Sequence, residues 1–440
     1  MGEKLRKNAE EIVRTLTEKG YIAYFAGGCV RDMIMSIEPK DYDITTNAKP
    51  EDIKRLFKRT ILVGEKFGVI VVVKDGINYE VATFRSEIGY KNGRHPDKVI
   101  FTDEKEDVKR RDFTINGLLF DTLENRIIDY VGGKDDINNK IIRTIGNPFE
   151  RFNEDKLRMM RAVRLAVKFD FDIEENTFNA VKCKGFEISE ISKERIRDEL
   201  VKILTEGAAE RGIKLLDKAG MLKVILPEVA DMKGVEQPKI FHPEGDVFTH
   251  TVLMLDLMEN PSVELAMAVL LHDIGKPETF EVKDRIRFNE HTDVGVKIAS
   301  DICKRLRFTN KEIEYILNLI KNHLKFKDVM KMKKSTLKRF LSMDKFEEHL
   351  ELHRLDCLAS HKNLANWEYC KKMMKEITIE EVKPERLING DDLINAGFTP
   401  GPLFKEILNY IEDEQLEGRI KDKNEAMNLV IQKFGEKKFN

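Results

Sequence analysis

The sequence predicts a small α/β head followed by a long all-α body. Three observations predict this. Strand and helix signals alternate up to about residue 140. After Arg143 the strand signals vanish and a 3.6-residue apolar periodicity takes over. Pro227, Pro238, Pro261, Pro277 and the cluster Pro400-Gly401-Pro402 then punctuate a series of helices.

Within the head, residues 5–19 read as an amphipathic helix with Ile12 and Leu16 on its apolar stripe. Residues 23–26 form a short strand that ends at Gly27-Gly28. Residues 42–45 form a second strand, and residues 69–73 are apolar and β-branched. Asp75-Gly76 is a two-residue hairpin turn leading into residues 79–84. A fifth strand is placed at residues 118–120 or 127–131. The sum is a small mixed sheet with helices, with no internal repeat behind it.

Composition narrows the classes. The chain has 440 residues, 41% hydrophobic and 35% charged, which suits globular cores under a charged surface. No apolar run approaches the ~18 residues of a membrane span, and the charged first residues lack a signal-peptide core. Five cysteines without a C-x-x-C pair fit neither a zinc site nor a disulfide framework, so a reducing cytoplasm is expected. Net charge is −2, so a nucleic-acid partner must be sought in local patches. Residues 321–340 carry seven lysines and Arg339 against Asp328. That stretch is either a phosphate-binding patch or a solvated helix face.

The central chemistry lies in Asp41-Tyr42-Asp43. On a strand, residues two apart share a face. Two carboxylates so placed repel each other unless a cation lies between them, and Mg²⁺ prefers oxygen ligands. A D-x-D strand therefore suits two-metal phosphoryl transfer, although such a pair also occurs by chance on exposed strands. Just upstream, Gly27-Gly28 lets the backbone approach a phosphate, and Arg31 adds guanidinium donors. The structural alternative is a tight strand-to-helix turn with a surface arginine.

Together, Gly27-Gly28-Cys29-Val30-Arg31-Asp32 and Lys40-Asp41-Tyr42-Asp43 resemble the signature of the class II (bacterial-type) tRNA nucleotidyltransferase and poly(A) polymerase family. Residues 110–116 (Arg-Arg-Asp-Phe-Thr-Ile-Asn) and 154–162, with Glu154, Asp155, Arg158 and Arg161, match two further family motifs in order. The resemblance implies a polymerase-β-like head and an enzyme that adds C, C and A to the 3′ end of tRNA from CTP and ATP, without a template, using two Mg²⁺ ions. It also implies that Asp112 contacts the ribose 2′-hydroxyl, that Arg111 and Arg161 meet the triphosphate, and that Glu80 is a third carboxylate near the metals. Residues 85–102 resemble the flexible loop that accompanies the switch from C to A. An A-adding relative and a poly(A) polymerase share nearly all these motifs and stay open as alternatives.

The implied protein template suits Asp155 and Arg158, which share a face if both are helical. A carboxylate accepts from the exocyclic amine of C or A, and a guanidinium donates to the neighbouring ring atom. U and G present an oxygen there instead. The structural alternative is an intrahelical Asp155–Arg158 ion pair.

A second constellation comprises His250, His272-Asp273, His291, His323 and Asp356. It resembles the HD phosphohydrolase family. Carried over, His250, His272, Asp273 and Asp356 are ligands of a transition metal, and His291 and His323 complete a second position. The alternatives are a relic core without metal, or a metal-dependent phosphohydrolase as the main activity. The expected domains are a catalytic head at 1–140, a base-selecting helical neck at 141–235, an HD-type domain at 236–345 and a tRNA-binding helical tail at 346–440. Oligomeric state is left open.

Overall fold

The computed structural model describes residues 2–62, 67–89, 98–376 and 385–437. It divides into two compact units. The first holds Met1–Asp231 and Ile302–Thr309, and the second holds Met232–Asp301 and Asn310–Asn440.

The first unit opens with α1 (Gly2–Thr17), β1 (Ala23–Ala26), α2 (Gly28–Ile34), β2 (Asp43–Thr46), α3 (Pro50–Leu56), β3 (Thr60–Ile61), β4 (Val69–Lys74) and β5 (Ile77–Thr83). A hairpin of β6 (Arg85–Ile88) and β7 (Lys98–Phe101) leads to α4 (Glu104–Lys109), β8 (Leu118–Asp121), β9 (Arg126–Asp129) and α5 (Gly133–Asn138). Seven strands form one mixed sheet in the order β3-β4-β5-β2-β1-β8-β9. β2 and β5 run parallel while the other neighbours are antiparallel. Apolar residues of α1 (Ile12, Val13, Leu16) share a buried core with Phe25, Ile44, Val81 and Phe120 of the sheet.

Local signals and structure agree closely here. Lys74 pairs with Ile77, so Asp75-Gly76 is a two-residue loop, and both have positive φ as a type I′ turn requires. Both candidate fifth strands exist, as β8 and β9. The centre of the loop expected at 85–102, including Tyr90, Gly93, Arg94 and Pro96, lies outside the described residues.

Strands do not vanish after Arg143, contrary to expectation. β10 (Ile141–Ile142) pairs in parallel with β11 (Asp172–Ile173). In the second unit β12 (Phe280–Val282) pairs with β13 (Ile286–Phe288). Strands of two or three residues are too short to show an alternation in sequence. Between β10 and the end of the first unit come α6 (Pro148–Glu154), α7 (Arg158–Phe169), α8 (Glu175–Lys184), α9 (Lys193–Thr205), α10 (Ala209–Lys218), α11 (Met221–Ile225) and α12 (Pro227–Ala230). α7 lies against α9 and α10, and buries Met159, Met160, Val163 and Leu165.

The second unit is built on α13 (Val247–Asp256), α14 (Val263–Leu271), α15 (His291–Arg305) as far as Asp301, α16 (Asn310–Asn322), α17 (Lys334–Leu341) and α18 (Phe346–Ala359). Every residue of α14 from Leu265 to Leu271 is buried, because α13, α16 and α18 all pack on it. The basic stretch 321–340 is not one solvated face: Lys338 is buried, and Arg339 pairs with Glu412 and Asp413. Near the C-terminus, Ile388, Leu393, Phe398, Ile407 and Phe434 form a separate small core. Asn389 caps helix Gly390–Asn395 in a capping box with Asp392. Among the described residues no helix is long and apolar enough to cross a membrane.

Phe25 is fully buried at the centre of the head. Phe25→Ala should cost about 3–5 kcal/mol, read as a lower urea midpoint for the transition that disrupts the head.

Candidate active site

β2 begins at Asp43, and Asp41 stands in the extended segment just before it. The two acids are therefore not both on a strand, as the pattern had suggested, yet both line one cleft of about 490 Å³. Asp43 is the crowded member. Burial around its carboxylate, then Asp41 and Glu80, push its pKa up to about 6 against the pull of Arg111. Glu80 comes from β5, whose Val81 pairs with Ile44, so the register sets Glu80 beside Asp43. The negative charge that Asp41 and Glu80 set around Asp43 suits a hard divalent cation, which would relieve the repulsion.

The facing wall is cationic: Arg31, Arg110, Arg111, Arg158, Arg161 and Arg195 all line the same cleft. Gly27 caps α2 with φ +76, and a Cβ there would come within 2.9 Å of Arg111 Nη1. Only glycine suits that position. Arg111 and Arg110 donate to opposite oxygens of Asp107, at 3.2 and 2.7 Å. Asp107 is wholly buried and also accepts from the backbone N–H of Arg85. Burial opposes its charge, but the two guanidinium groups win and hold its pKa below the ordinary value. Arg31 stacks over Phe169 and donates to Asp32 and Asn116. Asn116 in turn donates to Asp112. Arg161 donates two bonds to Asp112 Oδ2, at 2.6 and 2.8 Å.

Asp155 and Arg158 reach the cleft differently from expectation. Asp155 is extended (φ −147, ψ 106) between α6 and α7, and α7 begins at Arg158. They do not share a helix face, and neither forms the intrahelical pair. Asp155 Oδ1 accepts from the N–H of Leu157, and Oδ2 accepts from Arg195 at 2.7 Å. Arg158 instead donates to Glu154 and to the carbonyl of Arg151. A turn thus brings the two side chains to one cleft with separate anchors.

The second constellation also converges, within the second unit. His250, His272 and Asp273 form one group of candidate ligands, and Asp273, His291 and His323 form another. His250 Nε2 lies 3.2 Å from Asp356, and His272 Nε2 lies 3.1 Å from Asp273. His272, His291 and His323 each donate Nδ1–H to the carbonyl three residues earlier, at 2.6–2.9 Å. Burial, then the neighbouring His272, pushes His323 down to about 4 and keeps its ring neutral. The buried Nε2 of His291 has no hydrogen-bond partner, its nearest carboxylate oxygen, on Asp273, being 3.5 Å away. Burial lowers the pKa of His250, but Asp356 and Glu244 outweigh it and raise it to about 9, so a metal there would displace a proton. Imidazoles facing carboxylates suit a transition metal, although Lys276 also bonds Asp273, at 2.5 Å.

Three family models match: the poly A polymerase head domain over residues 23–143, the probable RNA and SrmB-binding site of polymerase A over 170–233, and the HD domain over 247–359. The chain is 33% identical to a CCA-adding enzyme of Ligilactobacillus salivarius, covering 98% of this chain and 97% of that one. The chain belongs to the CCA-adding enzymes. A relative of the same name from Bacillus pumilus is 45% identical over 306 residues, 69% of this chain and 72% of that one. The crystal structure of a Bacillus stearothermophilus CCA-adding enzyme in complex with CTP superposes with a TM-score of 0.74 at 27% identity, covering 98% of each chain. This is thus a nucleotidyltransferase of the bacterial type, with a polymerase-β-like head and an HD-bearing helical body.

Several groups that organise the CCA-adding cleft escaped the sequence reading. Arg195 comes from α9, forty residues from Asp155, and no spacing rule links them. Asp107 looks like an ordinary first-turn acid of α4 and gave no signal of burial. Glu154 lay inside a recognised motif but its bond to Arg158 needed coordinates.

Replacing Asp107 by Ala leaves two guanidinium groups beside an empty buried position. That should cost about 3 kcal/mol in urea unfolding and weaken nucleotide binding. Because its pKa is depressed, Asp107 stabilises the fold above the unfolded carboxylate pKa of about 4. This contribution is lost as pH falls through the folded value, so Asp107→Asn should flatten the acid limb of the stability curve.

Proposed function

We propose that the head cleft adds C, C and A to the 3′ end of tRNA, taking CTP and ATP in turn and releasing pyrophosphate. The observation that carries this reading is the pair Asp41 and Asp43 in one cleft with a wall of arginines, with Glu80 adding to the negative charge felt at Asp43. Asp41 and Asp43 would hold two Mg²⁺ ions, which when bound would supply activation of the attacking 3′-hydroxyl and neutralisation of the leaving charge.

The chain's own residues do the rest. Gly27 and Gly28 let the backbone approach the phosphates, and Arg31, Arg111 and Arg161 draw the triphosphate against that turn. Asp112, now bonded to Arg161, accepts the ribose 2′-hydroxyl. Asp155 accepts the exocyclic amine of C or A, and Arg158 donates to the adjacent ring position. Their separate anchors, Arg195 and Glu154, fix a hydrogen-bonding edge that U and G fail to match. Residues 1–140 supply catalysis and 141–235 base selection, while 346–440 bind the tRNA. Free cysteines accord with work in a reducing cytoplasm.

A second reading concerns residues 236–345 together with Asp356. The convergence of the buried His250, His272 and Asp273 with Asp356 favours a transition-metal centre on these four, with phosphohydrolase chemistry of the HD type. His250→Ala combined with Asp273→Ala should abolish bound transition metal. Unchanged metal content would refute the centre.

The main reading is tested with a tRNA transcript ending at the discriminator base. CTP alone should add CC, and both nucleotides together should complete CCA. Extension only of tRNA already ending in CC would assign the A-adding role, and long A tails a poly(A) polymerase. Asp41→Ala and Asp43→Ala should each abolish incorporation with the far-UV spectrum unchanged. Near-normal turnover by either would overturn the metal assignment.

A further inference from the structure

His250 differs from the three other histidines of the HD cluster in how its Nδ1 is held. His272 follows the last residue of α14, and His323 follows the last residue of α16. His291 comes just after β13. Each therefore finds a carbonyl that no helix ladder uses, those of Val269, Ile320 and Phe288. His250 sits inside the first turns of α13, and its own N–H already bonds the carbonyl of Asp246. The carbonyls of that turn belong to the helix ladder, so its ring needs another acceptor.

Glu244 is that acceptor. It lies in the segment before α13, and its Oε1 accepts from His250 Nδ1 at 2.7 Å. The same oxygen lies 2.9 Å from His242 Nδ1. His250 is wholly buried, and the Glu244 side chain is only 6% exposed. With Nδ1–H held by Glu244, Nε2 is directed at Asp356, 3.2 Å away, and a metal ion would take the place of the proton these two atoms otherwise share. A carboxylate behind an imidazole also makes it a stronger donor to a metal than a carbonyl does.

We propose that Glu244, with His242 bonded to it, is the positioning residue for the first ligand of the HD metal centre. It fixes the tautomer of His250 and sets how tightly the centre holds its ion. The proposal rests on the metal reading given above. His242 caps the outer side of Glu244, its ring 4.9 Å from that of His250 and edge-on to it. Glu244 belongs to the second unit and the head cleft to the first, so nucleotide addition is expected to be independent of it.

The test is Co²⁺ binding to the full chain by equilibrium dialysis in excess Mg²⁺, which occupies the head carboxylates, with the visible absorption of bound Co²⁺ recorded alongside. Wild type, Glu244→Gln, Glu244→Ala, Glu244→Asp and His272→Ala are compared. Wild type should bind Co²⁺ and His272→Ala should not. Glu244→Ala should bind roughly 10–100-fold more weakly with a changed spectrum. Glu244→Gln, which keeps the hydrogen bond and loses the charge, should fall between, and Glu244→Asp should recover part of the affinity. CMP incorporation should be unchanged in all Glu244 variants, which shows that they fold. If wild type and His272→Ala differ as expected while Glu244→Ala matches wild type, the positioning role is overturned and the centre stands. If wild type takes up no Co²⁺, the centre itself falls and the proposal with it.

Discussion

Burial first, then the charges of Asp41 and Glu80, hold Asp43 near 6, well above an ordinary carboxylate. Such an arrangement is costly for a folded chain on its own. The sheet fixes part of it: β2 and β5 run parallel and their register sets Asp43 beside Glu80, while Asp41 stands just before β2. The tension is directional. It is relieved from the cleft side, by positive charge, and the opposite wall of arginines points at the same space. The acids would take cations and the arginines an anion, so each wall contributes what the other lacks.

The arginines need holding as firmly as the acids. Left alone, a row of guanidinium groups would repel and disperse into solvent. Here each has a carboxylate or amide behind it: Asp107 for Arg110 and Arg111, Asp32 and Asn116 for Arg31, Asp112 for Arg161, Glu154 for Arg158. These bonds fix side-chain angles before a nucleotide arrives, which lowers the ordering entropy of binding. The HD cluster follows the same rule with different chemistry. Its histidines are oriented from behind by carbonyls or by Glu244, leaving the Nε2 atoms to face one another.

Much of this was legible in the sequence, for a physical reason. The Asp-Gly turn, the β-branched β4 and the apolar stripe of α1 are local signals, and local geometry alone sets them. The ordered motifs also singled out residues that line one cleft, because each sits on a short local element. What sequence missed was long-range or conformational. Asp155 was read as helical from its spacing to Arg158, yet the chain breaks between α6 and α7 and the acid faces the cleft from a turn. Arg195 and Asp107 act through contacts across separate elements, which no periodicity encodes. The strand pairs β10–β11 and β12–β13 were too short to alternate visibly.

The direct measurement is the carboxyl titration of Asp43 by ¹³C NMR on aspartate-labelled protein, assigned with Asp43→Asn, with and without Mg²⁺. Without Mg²⁺ the account predicts a midpoint near 6. With saturating Mg²⁺ it predicts a fall below the ordinary carboxylate value of about 3.9. An Asp43 that titrates at its ordinary value and ignores Mg²⁺ would contradict the claim that these acids are arranged to gather cations.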